Sequence, residues 1–160
     1  MTTDKDQKKY PGRPPRLSHV FDRTPLYFVT FNTWNHRPLL ANDAVHTAFC
    51  GYVEKNRARG FAVGRYVITP DHVHLFARMG VEQKLAQYIR LMKQVLTKRI
   101  RLVAPEERIW QPGFFDHVMR SSESYAEKWA YMRMNPVRAD LVEDVDKWNF
   151  EGELETIYFD

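Results

Sequence analysis

The sequence predicts an α+β sandwich with an antiparallel sheet, on three observations. Short runs rich in aromatic and β-branched residues alternate with longer runs whose apolar residues recur at helical spacing. Two of the strand-like runs are joined at Thr69, Pro70 and Asp71, a tight turn that pairs them. The runs follow in the order strand, helix, strand, strand, helix, strand, helix. That is the succession of a ferredoxin-like sandwich with one helix added at its C-terminal end.

Each element has a local reason. PLYFVTFNTW, residues 25–34, is aromatic and β-branched and reads as the first strand. Asn42 is placed to cap a helix through DAVHTAFCGYVEKNRAR, which Gly60 ends. FAVGRYVIT and DHVHLFARM are the hairpin strands. The run VEQKLAQYIRLMKQVLTKRIRL spaces Leu85, Ile89, Met92, Leu96 and Ile100 along one helical face. IWQPGFFDHVM reads as a short irregular strand interrupted by Pro112 and Gly113. SSESYAEKWAYMRMN opens with capping serines and is stopped by Pro136, so it is the third helix. The organisation is then a basic N-terminal arm over 1–24, a folded domain over 25–139 and an acidic C-terminal tail over 140–160.

Composition narrows the function classes. Apolar residues make up 44% of the 160, enough for one core, and no run is long enough to span a membrane. The opening MTTDKDQKK lacks a secretory apolar stretch, and the lone Cys50 leaves no intramolecular disulfide and no cysteine-based zinc site. A cytoplasmic protein is expected. The net charge of +4 is uneven: residues 140–160 carry −7, which leaves +11 on residues 1–139. A body that basic fits a polyanion, nucleic acid before membrane.

The stretch TPDHVHLF carries the first chemical signal. On a strand, His72, His74 and Phe76 share one face, and Val73, Leu75 and Ala77 share the other. Two imidazoles one pleat apart can chelate a cation if a third ligand arrives from elsewhere. A structural or solvent-facing pair is the competing reading, and from spacing alone it is the stronger. In the third helix, Tyr131 and Asn135 lie four residues apart, on one helical face. Tyr131 as a core aromatic and Asn135 as a helix-ending residue are the competing readings, and from spacing alone they prevail. Tyr125 is a rival hydroxyl, but its neighbour one turn on is Trp129, which cannot bind metal.

Taken together, YFVTF, YVITPDHVHLF, WQPGFFDHVMR and YMRMNPVRADLV, in that order over roughly residues 16–142, resemble the REP-associated tyrosine transposases of the HUH single-tyrosine endonucleases. The family pattern often has Gly where this chain has Asp140. The resemblance implies that 25–139 is an HUH catalytic domain, with His72, His74 and Asn135 as metal ligands and Tyr131 as nucleophile. It implies a divalent cation, Mg2+ or Mn2+, and a single-stranded DNA substrate bearing a hairpin. Cleavage then runs through a 5′-phosphotyrosine on the added C-terminal helix. A hairpin-binding protein that no longer cuts, or an RNA-binding sheet, would have no chemical need for all four residues.

Supporting residues are expected around this set. Asp116 and His117 in GFFDH are candidates beside the site. Arg13 and Arg16 in the arm, Lys93, Lys98 and Arg99 on the second helix, and Arg120 and Arg138 flanking the third are candidate phosphate contacts. The acidic tail is either an autoinhibitory shield or a packed structural segment. A monomer, nucleoid-associated, is expected in preference to a dimer.

Overall fold

The computed structural model describes residues 24–80, 83–105 and 108–158. Its strands are β1 (Leu26–Asn32), β2 (Phe61–Ile68), β3 (His72–Met79), β4 (Phe115–Met119) and β5 (Glu151–Glu153); its helices are α1 (Asp43–Asn56), α2 (Leu85–Ile100), α3 (Ser122–Arg133) and the single turn α4 (Asn135–Arg138). The expected signals operate where the sequence puts them. Asn42 Oδ1 accepts from the Val45 N–H at 3.0 Å and starts α1. Gly60, at φ 91°, takes the left-handed conformation that turns the chain into β2. Ser121 Oγ accepts from the Ser124 N–H at 3.1 Å and starts α3.

The strands form one antiparallel sheet in the order β4-β1-β3-β2-β5. Its first four strands are the ferredoxin-like arrangement, in which β1 and β3 lie at the centre. Alternation along these strands makes two cores. On one face Val29, Phe31, Val73, Leu75 and Ala77 pack beneath Phe49 and Val53 of α1 and Ile89, Met92 and Leu96 of α2. On the other face Leu26, Phe28, Phe76 and Met119 pack beneath Tyr125, Trp129 and Met132 of α3. Among the described residues no helix is long and apolar enough to cross a membrane.

The segment expected as an acidic tail is built into the sheet. β5 pairs with β2, and Ile157 enters the second core. Its acids meet arginines from distant parts of the chain. Arg133 binds Glu151 at 2.8 to 3.1 Å and Asp146 at 2.6 Å, Arg65 reaches Glu153 at 3.3 Å, and Arg57 pairs with the buried Glu155. Trp148 donates its indole N–H to the Ile68 carbonyl at 3.0 Å. A charge run reads as a solvated tail only while its partners, such as Arg65 at 88 residues from Glu153, are unknown.

The third helix also ends differently. α3 stops at Arg133, and Asn135 opens a new turn with Pro136 in its first positions. Proline has no N–H to bond back into α3, but in a first turn that N–H would be unpartnered anyway. Asp140 closes this turn at φ 56°, a left-handed position. That is the physical reason a glycine suits the place.

Candidate active site

β3 puts His72 and His74 on the face that α3 covers, with ring centroids 4.6 Å apart and planes at 73°. Each ring is held by its Nδ1. His72 Nδ1 lies 2.8 Å from Asp71 Oδ1 and 2.8 Å from Thr69 Oγ1. His74 Nδ1 lies 2.7 Å from Oγ1 of Thr30, its cross-strand neighbour on β1, and its ring stacks on Phe28 at 5.4 Å. With the proton on Nδ1, each imidazole keeps Nε2 as an acceptor, the arrangement in which an outer partner orients a metal-binding histidine. Burial, aided by the positive groups His72, Lys128 and Arg138, pushes His74 down to about 3, so it is neutral at any physiological pH. Burial alone would raise Asp71, but its hydrogen bond to His72 and the nearby His36, at 3.1 Å, hold it below the ordinary carboxylate value.

This donor set fits a hard divalent cation. Two neutral nitrogens leave most octahedral positions to water and phosphate oxygens. Among the described residues no group of three or more His, Cys, Asp or Glu is arranged to hold a metal ion by itself. Asn135 offers an amide oxygen, which here accepts from the Arg138 guanidinium.

Tyr131 is 63% exposed, whereas Tyr125 is 4% exposed with its ring edge-on to Phe76 at 4.5 Å. One is available to a substrate and the other is core. Arg138 lies over the Tyr131 ring at 4.2 Å and donates to the Tyr131 carbonyl at 2.7 Å. Lys128, one turn earlier on α3, places its ammonium 4.6 Å from the Phe28 ring centre and 6.0 Å from that of Tyr131. Both cations act on His74, so the exposed tyrosine and the histidine pair belong to one charged neighbourhood of one chain.

His117 pairs with Phe28 and lines a groove of about 270 Å³ with Ser124, Lys128 and Tyr131. Asp116 pairs with Val29 and so lies on the opposite face, with α1 and α2. Arg120 is exposed between β4 and α3. Lys93 is turned inward: its ammonium donates to the Gln111 and Gly113 carbonyls, and burial lowers its pKa. Lys98 and Arg99 are exposed on α2, across the sheet from the histidines. Arg13 and Arg16 lie outside the described residues.

The family described as "Transposase IS200 like" matches residues 26–130, well over half of the chain. The chain belongs to the IS200-like transposase family. Within that setting it is similar to the REP-associated tyrosine transposase of Escherichia coli K12, at 26% identity over 125 residues, 78% of this chain and 73% of the relative. A second relative, from Haemophilus influenzae, is 25% identical over 143 residues, covering 82% of this chain and 81% of its own. Among solved structures, a REP-associated tyrosine transposase bound to a REP hairpin shares the fold, with a TM-score of 0.65 at 24% identity over 82% of this chain and 78% of that one.

Three residues of the transposase neighbourhood escaped the sequence reading. Thr30 is found only once the β1–β3 register is known. Asp71 was part of a turn motif and nothing more. Lys128 did carry a signal, a cation one helical turn before the exposed tyrosine.

Proposed function

We propose that this chain is a single-stranded DNA strand transferase that acts beside a hairpin. The observation that carries the reading is an exposed tyrosine sharing one cationic face with a paired, Nδ1-anchored set of histidines. In the proposed reaction the Tyr131 Oη–P bond forms as the P–O3′ bond breaks. Tyr131 loses its proton, the leaving 3′-oxygen gains one, and the strand's 5′ end is left as a phosphotyrosine. The ester retains the bond energy, so the reverse attack by a 3′-hydroxyl reseals the strand without another energy source.

His72 and His74, with Asn135 after Arg138 releases its amide, are the residues that would hold Mg2+ or Mn2+. Bound there, the cation supplies Lewis-acid polarisation of the phosphodiester. Asp71 and Thr30 keep both imidazoles in the ligating tautomer. Lys128 is placed to offset negative charge on the phosphate and on the forming phenolate, and Arg138 to take a phosphate oxygen in exchange for the Asn135 amide. Lys128 and Arg138 act on both the Tyr131 ring and His74 of the same chain, which supports attack in cis. A hairpin substrate is supported by the REP hairpin bound to the structurally similar relative.

The test is incubation with Mg2+ or Mn2+ and labelled hairpin oligonucleotides bearing single-stranded flanks, with peptide mapping of any covalent adduct. A phosphotyrosine at Tyr131 is the expected result; an adduct at Tyr125, or cutting that survives Tyr131→Phe, would overturn the mechanism.

A further inference from the structure

Beside the histidine pair, one strand over, lies a cleft that the chemistry above does not use. Its floor is the site face of β1, where Thr30 is the cross-strand neighbour of His74 and Asn32 that of His72. Its outer side is Phe115 of the edge strand β4, paired with Thr30 and 60% exposed. Its wall is the Gln111–Pro112–Gly113 turn. The volume is about 240 Å³, below the ~300 Å³ where pockets for drug-sized ligands begin, so it suits a single ring system.

The cleft is preformed. The Gln111 N–H donates to the Asn32 carbonyl at 3.0 Å, and the Trp34 N–H to the Ile109 carbonyl at 2.7 Å, which fastens the wall to the end of β1. From behind, the Lys93 ammonium holds the Gln111 and Gly113 carbonyls. Gly113, at φ 75°, makes the turn possible. The adjacent phenylalanines divide: Phe114 packs against the α1/α2 core, while Phe115 stands out on the site face. Phe115 thus offers a bare aromatic ring on an edge strand, open to a stacking partner. Among the described residues the side-chain amides of Asn32 and Gln111 have no hydrogen-bond partner. An aromatic face sharing one cleft with two uncommitted amides matches a nucleobase, which offers a π-face and a hydrogen-bonding edge.

We propose that this cleft binds one unpaired base of the single strand next to the bond that is cut. Phe115 stacks on the base, and Asn32 and Gln111 meet its edge. The inference rests on the single-stranded DNA reading above. It deepens that reading by giving the strand a fixed register: a base seated here lies one strand spacing, ~4.8 Å, from the row that carries the histidines.

The probe is a DNA hairpin with an oligothymidylate flank, substituted one position at a time with 5-iododeoxyuridine or with an abasic residue. Binding and photocrosslinking are read in chelator, so that no cutting is needed. The expected crosslink maps to Phe115 from one flank position, and an abasic residue at that position weakens binding about 10-fold. Phe115→Ala should lose the crosslink and become indifferent to that abasic residue, while Phe115→Tyr restores both. Asn32→Ala and Gln111→Ala should alter the preference among the four bases at that position alone. Crosslinks confined to other residues, in the wild-type protein and so independent of any variant's folding, would overturn the proposal. So would a Phe115→Ala protein with unchanged DNA affinity that has passed from dimer to monomer, since Phe115 would then cover a second copy. A wild-type protein that gives the Phe115 crosslink but no adduct with metal strikes at the transferase reading and leaves the base cleft standing. Failure to bind the hairpin at all removes both.

Discussion

On the α1/α2 face of the sheet, Val29, Phe31, Val73, Leu75 and Ala77 are at most 1% exposed and meet apolar neighbours. On the α3 face the same strands present Thr30, His72 and His74, with His117 of β4 alongside, beside a smaller core. One residue's step along β3 separates full burial from the site. The difference shows how a strand can be scaffold and active surface at once. The close-packed side fixes where each alternate side chain stands, and the thinly covered side presents those side chains for the chemistry proposed above.

Changes on the two faces should therefore have opposite signatures. Tyr131→Phe should drop cleavage to background, a loss of several powers of ten in rate, with the melting temperature and hairpin affinity unchanged. Leu96→Ala, under α2, should cost ~3–4 kcal/mol of stability in denaturant titration and leave cleavage by the folded fraction intact. If Leu96→Ala slowed chemistry without destabilising, the division between faces would fail. The pair His72→Ala and His74→Ala should likewise abolish metal-dependent cutting and calorimetric Mn2+ binding in a protein that still folds.

Lys128→Ala should slow cleavage by about 100-fold with little change in affinity, and Lys128→Arg should recover part of it, because the missing quantity is positive charge beside the phenolate. An unaffected rate would confine Lys128 to packing on Phe28. Salt dependence sharpens the contrast further. Neutralising Arg120 and Arg138 should flatten the slope of log affinity against log salt by ~1.5–2 units. Neutralising Lys98 and Arg99 should hardly change it, since they stand across the sheet; the reverse result would move the DNA to the helical face. The smallest effect belongs to neither face. Asp140→Gly should stabilise by about 0.5 kcal/mol in thermal melts, the relief of φ 56° being partly offset by glycine's freedom in the unfolded chain.

The elements were legible because their signals are local. Asn42, Gly60 and Ser121 act within three residues of themselves, and the alternation of HVHLFARM fixed which residues share a face. The histidine pair was legible as a shared face, and the resemblance supplied its meaning. What could not be read depends on partners far away in the chain. Lys93 counted as a phosphate contact until the 111–113 turn was seen to take its ammonium. Asp116 and His117 are adjacent in sequence, and only the β1–β4 register shows that they point to opposite faces. The helical spacing of Tyr131 and Asn135 likewise gave no sign that Pro136 would restart the helix between them.

The pairing of Arg65 with Glu153 spans 88 residues, and the same late segment sends Ile157 beneath the helix that carries Tyr131. During synthesis, the strand bearing both histidines and the whole of α3 leave the ribosome before the residues that underpin them. Such long-range closure is slow to form, because the loop entropy has to be overcome before the contacts can contribute. The side chains proposed to react are thus all made well before their support is complete. Assembly of the cutting surface is tied to the arrival of β5, a timing written into the order of the strands.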